Sequence, residues 1–101
     1  MTDLEKEVCK AYGEDRLIDQ LIEEMSELTK ALLKDRRAEK YGEYDKCKTE
    51  KDVAEEVADV EICLKYLDIL YSYKTPDFRL RVEDIKVEKY LRQKSRLEKQ
   101  K

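Results

Sequence analysis

The sequence predicts an all-α fold: a small bundle of three long helices plus a short N-terminal helix, in a single domain over residues 1–101. Three observations lead there. Apolar residues recur at spacings of three and four over long stretches, the periodicity of amphipathic helices. Only two Gly and one Pro interrupt 101 residues, so strand-and-turn architectures have little support. Charged residues make up 47% of the chain and hydrophobic ones 41%, a balance suited to long helices with wet outer faces. A chain of this length builds one modest core and is too short for two domains.

The first helix starts from Thr2 as N-cap and ends near Tyr12, where Gly13 stops it. The second covers residues 14–38, with Leu17, Ile18, Leu21, Met25, Leu28 and Leu32 at helical spacing. Residues 39–49, "EKYGEYDKCKT", lose the period, hold Gly42 and read as a connection. Thr49, with Asp52 three residues on, resembles a capping signal and opens a third helix that runs to about Tyr73. "KTPDF" then breaks the chain, because the residue before Pro76 is pushed out of the helical region. A last, charged helix runs from 78 or 82 to near 98, with a tail expected to fray. The core residues implied by these stripes include Leu21, Met25, Leu28, Val60, Leu64 and Leu67.

Composition narrows the function. The net charge of −3 comes from 25 acids and 22 bases mixed along the chain, so no broad basic face recommends duplex nucleic acid as a partner. Cys9, Cys47 and Cys63 are widely spaced and odd in number, which points to a reducing, cytoplasmic setting rather than a disulfide framework. No apolar run suits a signal peptide or a membrane span, so no membrane partner is expected. The absence of histidine removes Ser-His-Asp and Cys-His nucleophiles and His-ligated zinc. No Gly-rich phosphate loop is present, since Gly13 and Gly42 stand alone. Any enzymatic chemistry falls to carboxylates.

Two stretches offer them. "LIEEMSEL", residues 21–28, is echoed by "VAEEVADV", residues 53–60. With Val60 at zero on a helical wheel, Glu56 falls at about −40°, between core positions, and Asp59 near −100°. With Leu21 at zero, Glu24 falls near −60° and Glu27 near −120°. Glu23 and Glu55 turn away from the core and suit solvated faces. Residues three apart on a helix are neighbours, so each pair offers two carboxylates from one surface. Like charges so close, at the edge of a core, need compensation. Lysine or arginine supplies it in one reading, and a divalent cation in the other. Two pairs on adjacent helices favour the cation, and an all-oxygen donor set selects Mg²⁺ or Mn²⁺ over zinc or copper.

"EEMSEL" followed by "EEVADVEICL" resembles the E-x-x-E … E-x-x-D signature of the MazG-like, all-α nucleoside triphosphate pyrophosphohydrolases, especially short bacterial and phage versions. The likeness covers about residues 12–70 and includes Tyr12-Gly13. It implies hydrolysis of a nucleoside triphosphate to the monophosphate and pyrophosphate, in house-cleaning of nucleotide pools. It also implies Mg²⁺ held by Glu24, Glu27, Glu56 and Asp59, with in-line attack of an activated water. Lys30, Lys34 and Lys65 are candidates to meet the phosphates, Lys65 only in a neighbouring subunit's site, with ordinary surface ion pairs as the favoured alternative for each. Tyr12, Tyr66 and Tyr71 are candidates to stack on a base, with core or interface packing as the favoured alternative. Family members work as dimers or larger assemblies. Ala58, Ile62 and Ile69 give the third helix a second apolar stripe, which a second subunit or a packed intrachain helix would cover. The competing readings are a non-catalytic helical interaction module whose acids pair with bases, and a nucleotide-sensing relative without turnover. Glu56 separates metal site from module: a groove poor in bases favours a cation, and a Lys or Arg partner favours the module.

Overall fold

The computed structural model describes residues 3–100, which form four α-helices and no strand: α1 (Asp3–Tyr12), α2 (Glu14–Tyr41), α3 (Lys46–Lys74) and α4 (Phe78–Gln100). The all-α class holds. Thr2, the expected first cap, lies outside the described residues. The packing divides into two compact units, with the boundary between Ile69 and Leu70, inside α3.

In the first unit, α1 and α2 are joined by a single residue. Gly13 has φ 83° and ψ 165°, a backbone conformation that side chains rarely adopt. Its N–H donates to the Cys9 carbonyl at 3.1 Å and its own carbonyl accepts from the Leu17 N–H at 3.2 Å, so it closes one helix and opens the next. α2 runs to Tyr41, past the expected end at 38, because nothing breaks it before Gly42. That glycine adopts the left-handed conformation, φ 65°, and donates to the Ala38 carbonyl at 3.2 Å, a C-terminal glycine stop.

The connection is therefore residues 42–45, much shorter than the expected 39–49. The cap of α3 is Asp45, not Thr49: the Asp45 carboxylate accepts from the Cys47 N–H at 3.0 Å, and its carbonyl from the Thr49 N–H at 3.0 Å. Thr49 sits a turn inside the helix, 4% exposed. Its hydroxyl donates to Asp35 Oδ1 at 2.9 Å and also lies 3.1 Å from the Lys46 carbonyl. Lys46 Nζ donates to the same Asp35 oxygen at 2.9 Å and pairs with Glu39 at 3.1 Å. A hydrophilic start to α3 is thus bound to the last turns of α2. The Lys46 ammonium, then the Thr49 hydroxyl, hold the Asp35 carboxyl below the usual carboxylate range. Its contribution to stability is present above the unfolded value and is lost as pH falls through the folded one. Thr49→Val removes a bond to a charged group at a buried position and should cost about 1.5–3 kcal/mol in urea denaturation. An unchanged midpoint would show that the bond carries no net stability.

The α2–α3 pair is antiparallel: Asp35 meets Thr49, and Glu24 meets Glu56. Along α1, Cys9 Sγ lies 3.9 Å from the Tyr66 carbonyl and Glu5 pairs with Lys65 at 3.3 Å, which lays the short helix against α3. Leu17, Leu21, Ala31 and Ala38 are buried on α2, and Thr49, Cys63 and Ile69 on α3. Leu28, Val60 and Leu67 are half-buried. Met25 and Leu64, expected in the core, are instead 43% and 47% exposed. On a helical wheel the buried Leu17, Ala31 and Ala38 of α2 lie to one side of Leu21 and Met25 to the other, and on α3 the buried Thr49 and Cys63 lie to one side of Val60 and Leu64 to the other. Of the second stripe on α3, Ile69 is 1% exposed while Ala58 and Ile62 face outward.

The second unit starts with the last turn of α3. The Thr75 N–H donates to the Tyr71 carbonyl at 2.8 Å, and the Phe78 N–H to the Thr75 carbonyl at 2.9 Å, turning the chain around Pro76. The Tyr71 and Phe78 rings pack with centroids 5.2 Å apart. No residue of α4 is buried, yet the helix continues to Gln100 where fraying was expected. Ion pairs one turn apart, Asp77 with Arg81 at 3.2 Å and Arg79 with Glu83, line its exposed surface. Among the described residues, no helix is long and apolar enough to cross a membrane.

Candidate metal centre

The rotation that exposes Met25 and Leu64 carries two acids inward. Glu24 on α2 and Glu56 on α3 sit near the middle of the contact face and are half-buried, and Asp59, one turn beyond Glu56, stands at its rim. One carboxylate oxygen from each of the three lies within 4.8 Å of the others. No ion pair among the described residues involves Glu24, Glu56 or Asp59. Glu56 Oε2 is buried and has no hydrogen-bond partner.

That crowding has a titration signature. Burial, followed by the contact with Glu24 and the charges of Glu24, Asp59 and Glu27, holds the Glu56 carboxyl above the usual carboxylate range. Folding therefore raises the proton affinity of Glu56, and a cation bound there would compete with that proton. The Cys63 thiol, one turn past Asp59, is pushed up by burial and by the charges of Glu24 and Asp59, so it stays protonated. As a candidate donor set, three carboxylates with one oxygen lacking a partner suit a hard divalent ion of the Mg²⁺ or Mn²⁺ kind.

The fourth expected acid is set apart. Glu27 lies outside the three-acid group and pairs with Lys30 at 3.6 Å, although its charge still reaches Glu56. It lines a cleft of about 160 Å³ with Lys30, Lys34, Asp52, Glu55 and Glu56. Glu55 is exposed as expected, but it borders this cleft rather than an unrelated face. Glu23 is exposed. Lys65 is bound to Glu5 of α1, away from the acids.

A larger cleft, of about 330 Å³, adjoins the cluster on the other flank. Glu24 and Asp59 form one edge, and Tyr12, Arg16, Gln20 and Tyr66 are prominent in the rest. Gln20 Nε2 lies 3.5 Å from Glu24 Oε1, and the Arg16 guanidinium sits 3.9 Å over the Tyr12 ring. Arg16 and Gln20 were not singled out from sequence, although the signal was there: they stand eight and four residues before Glu24, on the same helical face. Tyr71 belongs to the second unit, packed on Phe78, and lines neither cleft.

No family profile matches the chain, and comparisons with curated proteins and with solved structures found no match. Fold and site define an all-α protein with a three-carboxylate cluster on an antiparallel helical pair.

Proposed function

We propose that the protein is a Mg²⁺-dependent nucleoside triphosphate pyrophosphohydrolase of the MazG-like kind, releasing a nucleoside monophosphate and pyrophosphate. One observation carries the reading: Glu56 Oε2 is buried beside two further carboxylates with no hydrogen-bond partner, and no ion pair among the described residues reaches Glu56 although Lys30 and Lys34 line the same cleft. An interaction module with structurally paired acids would have supplied a lysine or arginine there.

Glu24, Glu56 and Asp59 would hold the ion, with Mn²⁺ able to replace Mg²⁺. When bound, the ion supplies positive charge to screen the charge developing on the phosphates. The chain's own groups do the rest. Lys30 and Lys34, along one side of α2, draw the phosphates over the acids. Glu27, one turn from Glu24 and outside the three-acid group, accepts the proton of the attacking water. A cation loading the site competes with protonation of Glu56, so activity rises with pH through the raised Glu56 value. Lys65, committed to Glu5, is left out of this assignment.

The same reading includes a homodimer or higher assembly. Ile22, Met25, Leu32 and Leu33 on α2, with Val57 and Leu64 on α3, are exposed on the side of the helical pair away from the clefts. A second copy of this chain would cover them. The free cysteines suit a reducing cytoplasm.

The test is product analysis across standard and modified nucleoside triphosphates, with Mg²⁺ and with chelator. Nucleoside monophosphate and pyrophosphate appearing together, only with the metal, is the expected result. Nucleoside diphosphate and phosphate, or no metal-dependent product from any triphosphate, would sink the reading.

A further inference from the structure

We infer that the cleft of Tyr12, Arg16, Gln20 and Tyr66 takes the base and sugar of the substrate, so that a nucleoside triphosphate lies along α2 with its base toward Arg16 and its phosphates toward Lys34. The inference rests on the pyrophosphohydrolase reading and gives that site a direction and a set of base-contacting residues.

Size is the first argument. The cleft of about 330 Å³ is at the small end of ligand pockets, which span roughly 300–1,000 Å³. It suits a nucleoside and leaves the phosphates outside. The exit that leads to chemistry is the edge formed by Glu24 and Asp59, and on the far side of the same acids Glu56 lines the second cleft. The three-acid cluster is thus the wall shared by two clefts of different character.

That difference is chemical. Among the side chains lining the larger cleft, Tyr12 and Tyr66 provide aromatic surface, and Leu17 and Ile62 an apolar wall. Gln20 provides an amide, with donor and acceptor on one planar group matching a nucleobase edge. The contact of its NH₂ with Glu24, at 3.5 Å, is at the outer limit of a hydrogen bond, so the amide is only loosely held before a ligand arrives. Arg16 over Tyr12 makes a flat cationic surface at the mouth, suited to stacking on a base. The smaller cleft has no aromatic residue and carries Lys30 and Lys34.

Spacing completes the case. Positions 20, 24, 27, 30 and 34 follow one another at three- and four-residue steps along one side of α2, and Gln20 to Lys34 spans about 21 Å of helix axis at 1.5 Å per residue. Base-reading groups, acids and lysines occur in the order of base, α-phosphate and terminal phosphates.

Binding is measured by calorimetry in Mg²⁺ with two probes: a panel of nucleoside monophosphates and inorganic tripolyphosphate. Circular dichroism of each variant controls for folding; Tyr12, Gln20 and Lys34 are all exposed. Tyr12→Ala and Gln20→Leu should each weaken the best-bound nucleoside monophosphate by about tenfold and leave tripolyphosphate within about twofold. Lys34→Ala should do the reverse. Equal losses for both probes, or no loss of nucleoside monophosphate affinity, would overturn the assignment. If the wild-type protein hydrolyses triphosphates yet gives that result, only the direction and the base subsite fail. If it neither hydrolyses a triphosphate nor binds a nucleoside monophosphate, the pyrophosphohydrolase reading falls and this inference with it.

Discussion

Glu56→Gln is expected to raise the melting temperature of the metal-free protein while lowering Mg²⁺-dependent triphosphate hydrolysis by about 100-fold or more. The two effects have one cause. In the metal-free chain the half-buried Glu56 carboxylate, with Oε2 shielded from water, faces the charges of Glu24, Asp59 and Glu27, so its ionised form opposes folding. Because its folded value is raised, stability is complete below the unfolded value and declines as pH rises through the folded one. A Mg²⁺ ion bound at the three acids would favour the ionised form and reverse the sign. The rise in melting temperature caused by Mg²⁺ should therefore grow from acid toward neutral pH in the wild type, and disappear in the variant. Glu55→Gln, on an exposed acid beside the second cleft, should alter both quantities far less. Thermal melts with and without Mg²⁺ across this pH range decide it; a variant that is less stable without metal, or that keeps its Mg²⁺ response, would remove Glu56 from the site.

Ile69→Ala should cost about 2–5 kcal/mol of folding stability. Ile69 is the largest fully buried side chain among the described residues, at 1% exposure. Against the roughly 5–15 kcal/mol that holds a small domain together, this one truncation removes a large share. Ile62, on the same apolar stripe of α3, is 50% exposed, and Ile62→Ala should change stability by about 0.5 kcal/mol or less. Urea denaturation of the two variants separates them. Equal costs would mean that the stripe is buried as a whole.

Helix number, order and class were legible because punctuation is sparse: Gly13, Gly42 and Pro76 mark every break between helices. The start of α3 was not, because Asp45 competes with Thr49 for the same role. A threonine before an acid looks like a cap whether it faces water or, as here, a carboxylate on the neighbouring helix. The core face lies further round each helix than the large apolar residues indicate. Ala31, Ala38 and Cys63 are buried together with Leu17 and Leu21, while Met25 and Leu64, one step round the same helices, are exposed. The same rotation sharpened the acid pattern. Glu56 lies within the contact face, where its wheel position between core residues put it, Glu24 meets it there, Asp59 joins them, and Glu27 is turned toward Lys30. Spacing within one helix told which acids share a side; only the register between helices told which three meet.

That meeting is the centre of the account, and direct metal binding tests it without depending on any substrate. Mn²⁺ titrated into the protein near neutral pH, followed by the loss of the free-ion electron paramagnetic resonance signal, should show saturable binding that Mg²⁺ competes away. Glu56→Gln should abolish this binding, and Glu55→Gln should retain it. Binding that survives in the Glu56 variant, or is equally weak in both, would contradict a cation site built from Glu24, Glu56 and Asp59.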